Sequence, residues 1–89
     1  MDPLTVIPEL ERWGKLSEVT HRTSFHGYLG KSMKDVFIDI FDRGPGAGSL
    51  RYYCKATTED GKMATGNPDA EVKMAIANVH WYDLEREDP

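Results

Sequence analysis

Three histidines, one cysteine and a few hydroxyls are the side chains of this 89-residue sequence with the means to do chemistry. His21 and His26 lie five positions apart, whereas two metal ligands on one helical face need a spacing of three or four. His80 stands among Ile76, Ala77 and Leu84 on the expected core face of a helix, where a satisfied, partly buried imidazole accounts for it. Cys54 has no partner for a disulfide and sits inside an apolar strand pattern, so it reads as a small buried hydrophobe. Ser17, Thr23, Ser24 and the phenols of Tyr52 and Tyr53 read as caps, turn residues and sheet surface. The run "GPGAG" lacks the Lys-Ser/Thr of a phosphate-binding loop. The expectation is therefore a non-enzyme with no catalytic residue, no metal and no cofactor.

The cations carry the other possible chemistry. Eleven Lys and Arg face fifteen Asp and Glu, for a formal net charge of −4, while duplex recognition begins with a basic surface that releases counterions. Most of the basic residues are scattered and read as solvated surface. Arg51, Tyr53 and Lys55 alternate along one strand and would share the sheet face turned away from the helices, either as solvated surface or as a contact patch.

The elements that would position these groups follow from periodicity. "DPLTVIPELERWGKL" places Leu4, Ile7 and Leu10 at helical spacing, giving a short helix that ends near Trp13, with Pro8 confining its start. "LSEVTHRTSFHGYLGKSMKD" resists assignment, because Val19, Thr20, Thr23, Gly27 and Gly30 all weaken a helix. Val36, Ile38 and Ile40 alternate with Phe37, Asp39 and Phe41, which reads as a strand. After the loop "DRGPGAGS" a second strand puts Leu50, Tyr52, Cys54 and Ala56 on one face. "EDGK" signals a hairpin into a third strand over 62–65. Gly66, Asn67 and Pro68 then predict a turn, an N-cap and a first helical position, with Asp69 and Glu71 favouring the dipole of a helix that ends near Arg86. Its predicted core stripe is Val72, Ile76, Ala77, His80, Trp81 and Leu84. That helix is apolar around more than half its circumference. Either the amino-terminal segment, with Leu4, Ile7, Leu10 and Trp13, or another subunit must cover it, and the reading favours the internal cover.

The expected fold class is α+β: one domain, residues 1–89, in the order α-β-β-β-α, a three-stranded antiparallel sheet with helices packed on one face. Residues 1–34 would hold an amino-terminal helical extension and the first helix, and 35–86 the β-β-β-α core.

Over roughly residues 36–86 this arrangement resembles the double-stranded-RNA-binding domain family. Leu50, Tyr52, Cys54 and Ala56 match its strand ladder, Gly66 its last turn, and Val72, Lys73, Ile76, Ala77, Trp81 and Leu84 its final helix. "RGPGAGS" looks like its Gly-Pro loop. The resemblance implies a binding module of RNA metabolism that recognises duplex RNA by shape, with Arg43 and Lys73 as phosphate contacts. The paired lysines that open the family's last helix are replaced here by Asp69 and Ala70, and the loop histidine by Gly46 and Ala47, which implies weakened RNA affinity. The alternative is a protein–protein interaction or homodimerisation domain of the same fold without RNA binding, and a third reading is a small antitoxin-type protein. The expected partners are double-stranded RNA, a protein or a second copy. No apolar run approaches the roughly 20 residues of a membrane span, so a soluble intracellular setting, cytoplasmic or nuclear, is expected.

Overall fold

The computed structural model describes residues 2–17 and 19–85. The α+β class holds, but the sheet has four antiparallel strands in the order β1-β2-β3-β4, not three. The elements are α1 (Pro3–Gly14), β1 (His21–Tyr28), β2 (Asp35–Asp42), β3 (Tyr52–Thr58), β4 (Met63–Thr65) and α2 (Val72–Ala77). Short 3₁₀ segments occupy Pro45–Leu50 and Trp81–Leu84. No helix among the described residues is long and apolar enough to cross a membrane.

The additional strand is the segment that resists assignment by sequence and that the expected order gave to a first helix. In "HRTSFHGY", β-branched and aromatic residues favour the pleat, and every residue from His21 to Tyr28 has a partner from Asp42 back to Asp35. The hairpin closes where the Leu29 N–H donates to the Lys34 carbonyl (3.0 Å).

The β2–β3 register sets Val36 against Thr58, Ile38 against Ala56 and Ile40 against Cys54, and Ala56 against Ala64 across β3–β4. These residues share one face. Val36, Cys54, Ala56 and Ala64 form the core there with Val79 and Leu84, which come down from the α2 region, and Leu29, Ile38 and Ile40 pack at its margin. Thr58 is buried too, but its hydroxyl is satisfied by Asp60 and by the Lys62 N–H (3.0 Å). Gly61, at φ 89°, makes the β3–β4 turn that "EDGK" predicts.

The last helix is the second correction. α2 has only six residues, and its predicted cap and first turn are extended chain instead. Asp69 and Tyr52 exchange both backbone bonds (2.9 and 3.0 Å), which adds a rung to the sheet and holds Asn67 to Ala70 out of the helix. The Glu71 N–H then donates to Asp69 Oδ1 (3.0 Å) and the helix starts at Val72. It stops where the chain must pass over Gly66: a Cβ on that glycine would fall on the backbone carbonyl of Asn78, and the His80 N–H reaches the Thr65 carbonyl (3.2 Å).

This shortening rotates the core stripe. Ala75, Val79 and Leu84 are buried, whereas His80, Ile76 and Trp81 of the predicted stripe lie on the outside. The Trp81 indole N–H donates to the Ile76 carbonyl (2.9 Å). The predicted helix end at Arg86 and the side chain of Leu4 lie outside the described residues.

α1 does not cover α2. It meets the sheet at the start of β1, where Val6, Ile7 and Leu10 approach Val19 to Arg22, and it leaves Trp13 73% exposed. Trp13 is held within the helix, its indole N–H donating to Glu9 Oε2 (2.8 Å) and Arg12 lying over its ring. The extents of the molecule are 47 × 24 × 23 Å.

Candidate functional site

Because α2 and the following 3₁₀ turn pack on the face that carries Cys54, the alternate residues of all four strands form a second face that no helix covers among the described residues. Three successive rows of this face run across the strands, beside a shorter one of Tyr28 and Asp35. His26, Phe37, Thr57 and Met63 form one outer row; Ser24, Asp39, Lys55 and Thr65 form the middle row; Arg22, Phe41 and Tyr53 form the other outer row. Side chains two residues apart on a strand are about 6–7 Å apart, so the outer rows are separated by about 13 Å.

The outer rows are aromatic. The His26 ring lies 5.2 Å from Phe37 and 5.0 Å, edge-on, from Tyr28, and Phe41 lies 5.9 Å from Tyr53. Phe37 is 49% exposed and Met63 59%, a large apolar area to leave against water on a sheet face. The middle row is polar and self-neutralising. The Ser24 hydroxyl donates to Asp39 Oδ1 (2.6 Å), Arg22 Nε stands 4.0 Å from the same oxygen, and Lys55 is the cross-strand partner of Asp39. His26 Nε2 and Asp35 Oδ1 are 2.8 Å apart at the margin.

A serine, a histidine and two aspartates on one face raise the question of nucleophilic catalysis. Ser24 is bonded to Asp39 and His26 to Asp35, so the two pairs are separate and the serine faces a carboxylate, not the imidazole. The three histidines are dispersed: His26 lies on the open face, His21 borders a groove on the opposite side, and His80 stacks on Tyr82 at 5.7 Å. Among the described residues no group of three His, Cys, Asp or Glu is placed to hold a metal ion.

The contact residues expected from sequence are divided by the fold. Tyr53 and Lys55 do share the open face. Arg51 leaves it: its guanidinium grips Asp42 through Nε (2.8 Å) and Nη2 (3.2 Å) and lies over the Tyr52 ring at 4.8 Å. That grip holds the Asp42 carboxyl below its ordinary range, against the opposing effect of burial and with help from the Gly44 N–H (2.8 Å). Arg43 borders a depression with Ile7, Glu11, Val19 and Thr20, and Lys73 projects from the short α2. Arg43, just past the end of β2, and Lys73, on α2, are therefore carried on separate elements.

Of the residues on this face, the sequence reading placed Phe37 and Phe41 in a strand without giving them a role, and weighed His26 only as a metal ligand and Ser24 only as a cap, turn or surface residue. The alternation of Phe37, Asp39 and Phe41 with the apolar residues of β2 already placed them opposite the core, but without β1 there was no row for them to join. Comparison with family models, with curated proteins and with solved structures finds no match for this chain.

Proposed function

We propose that this chain is a non-catalytic binding module whose open sheet face takes a protein partner. The observation that carries the reading is the pair of aromatic rows about 13 Å apart, one with Phe37 exposed and the other with Phe41 and Tyr53 half-buried, and a charge-balanced row between them. Burial of half-exposed aromatics against a partner supplies the favourable free energy, about 25 cal/mol per Å² of apolar surface removed from water. Asp39, Lys55 and Ser24 can exchange their internal contacts for matched ones and so set orientation. A protein surface offering two apolar groups around a mixed polar centre fits this face. An intracellular setting, cytoplasmic or nuclear, belongs to the same proposal.

RNA binding is the second reading, favoured by one feature: aromatic side chains on a four-stranded sheet are a surface on which bases stack. Electrostatics favours the protein. On the open face Arg22 and Lys55 both neighbour Asp39 and His26 is bonded to Asp35, and the chain as a whole carries −4, so little counterion release would drive phosphate binding. Duplex recognition in the manner of the double-stranded-RNA-binding family loses further support from the fold. The place of its lysine-led helix start is taken by extended chain at Asp69.

A photo-crosslinking residue, p-benzoylphenylalanine, at position 37 separates the two in cells. An adduct that resists nuclease and is destroyed by protease, absent when the probe is moved to position 82, is the expected result. An adduct removed by nuclease would transfer the face to RNA, and no adduct above that of position 82 would refute the site.

A further inference from the structure

The open face is not the only unsatisfied surface of the sheet. Its two edges differ. β4 is three residues long, and the His80 N–H occupies the carbonyl of Thr65. β1 is eight residues long, its pairing with β2 runs without a bulge, and it contains neither lysine nor proline, the usual guards of an edge.

The hydrogen-bond phase shows which backbone groups this edge presents. The Leu29 N–H donates to Lys34, and alternation along an antiparallel pair then turns Gly27, Phe25, Thr23 and His21 toward β2. Arg22, Ser24, His26 and Tyr28 consequently aim their N–H and C=O groups outward. Consistent with this phase, the Asp35 carbonyl on β2 points the other way and accepts from Glu59 on the β3 side (3.1 Å).

We infer that two copies of this chain pair antiparallel through β1, with Phe25 on the two-fold axis, to form a continuous eight-stranded sheet. A two-fold perpendicular to the sheet keeps each face on its own side, so the paired residue numbers must sum to an even value. Placing Ser24 on the axis sets Arg22 against the partner's His26, and placing His26 there sets two imidazoles against each other. With Phe25 on the axis, Ser24 faces the partner's His26 and Arg22 faces the partner's Tyr28, so all four outward residues are used and no cation opposes a cation. Arg22 gains a ring to lie against.

Phe25 itself supports this choice. It is 54% exposed on the face that carries the core, at the rim of a groove of about 280 Å³ with Thr23, Ile40 and Val72. On the axis it faces its own copy in a non-hydrogen-bonded pair, the closer of the two antiparallel spacings and the one suited to an aromatic pair. The inference does not depend on the proposed function, although the dimer would join two open faces into one surface.

Sedimentation equilibrium of the full chain between about 1 and 500 μM spans the range expected for an edge contact at the small end of interface sizes. The mass should rise from one chain to two. Ser24→Pro removes an outward donor without touching the bonds to β2 and should remain a folded monomer. Phe25→Glu sets two carboxylates opposite each other and should weaken the dimer by about tenfold or more. Phe25→Cys should oxidise rapidly to a linked dimer, because paired Cα atoms at this spacing suit a disulfide and Cys54 is too buried to compete. A single-chain mass throughout would overturn the inference. So would a dimer that persists in both Ser24→Pro and Phe25→Glu. If Ser24→Pro does not fold, Phe25→Glu and Phe25→Cys decide: an unchanged association constant or the absence of a cross-link refutes the pairing.

Discussion

Gly66→Ala adds one methyl group at the tightest backbone approach in the molecule. The new Cβ would fall on the carbonyl carbon and oxygen of Asn78 and press on the Val79 nitrogen, all of them backbone atoms that cannot rotate aside. The chain between β4 and the α2 region must open. Overpacking of this kind costs about 1–3 kcal/mol, and the opening lifts Val79 and Leu84, now 4% and 0% exposed, off Ala64 and Ala56. Complete loss of one such side chain's burial is worth roughly 1.5–3 kcal/mol, so half of that for two adds about 2 kcal/mol. Replacing glycine restricts the unfolded chain and returns about 0.4–1 kcal/mol. The net expectation is a loss of about 3 kcal/mol from a stability that, for 89 residues, lies roughly between 4 and 13 kcal/mol. Thermal unfolding followed by circular dichroism should show Tm lowered by about 12–24 °C. Gly30→Ala is the control, since a Cβ there meets nothing and the unfolded-state effect is the same. A Gly66→Ala melting point within about 3 °C of the control would refute the close approach and the termination of α2 that depends on it.

Other substitutions examine the clamp, the β3–β4 turn and the open face. Asp42→Ala removes the acceptor of Arg51 and of the Gly44 N–H in a half-buried setting and should cost about 1.5–3 kcal/mol in urea unfolding. Asp60 is held at about 2, below its ordinary 3.8, first by the Lys34 ammonium and then by the Thr58 hydroxyl. A folded-state value below the unfolded one stabilises above pH 4 and is lost as pH falls toward 2. The native chain should therefore lose more stability than Asp60→Asn across that window, measured by urea midpoints at each pH. Phe37→Ser should change stability by less than about 1 kcal/mol, because the ring is half exposed already, while abolishing crosslinks from neighbouring positions on the open face.

Legibility from sequence varied with the kind of signal. β2 and β3 were plain because Val36, Ile38 and Ile40, and then Cys54 and Ala56, alternate strictly against polar or aromatic neighbours and one face is buried. β1 was obscure because neither of its faces is well buried: Thr23, Phe25, Ser24 and His26 are all exposed, so alternation carried no apolar signal. Only the β-branched residues that argued against a helix hinted at it. Asn67, Pro68, Asp69 and Glu71 are a sound local helix start, overridden by a non-local bond between Asp69 and Tyr52 that lies seventeen positions away in sequence and in no local window. Once α2 began late, the periodicity counted from Val72 onward no longer described one helix, and His80 and Trp81 moved outside. The open face was half legible, since alternation along β3 puts Tyr53 and Lys55 on one side, while the rows needed β1 and the exact register.

Cys54 offers a different use of the same core. Its thiol lies 1% exposed between β2 and the α2 region, and burial, with the nearby Asp39 charge, pushes its ionisation upward. A disulfide reagent in solvent can reach it only when the sheet and its cover separate. The rate of modification at fixed pH thus counts openings of the molecule, and in the regime of rapid reclosing it converts directly into an opening free energy. Every substitution named above that leaves Cys54 in place can be ranked on this internal clock, without a denaturant and at concentrations far below those at which edges could meet.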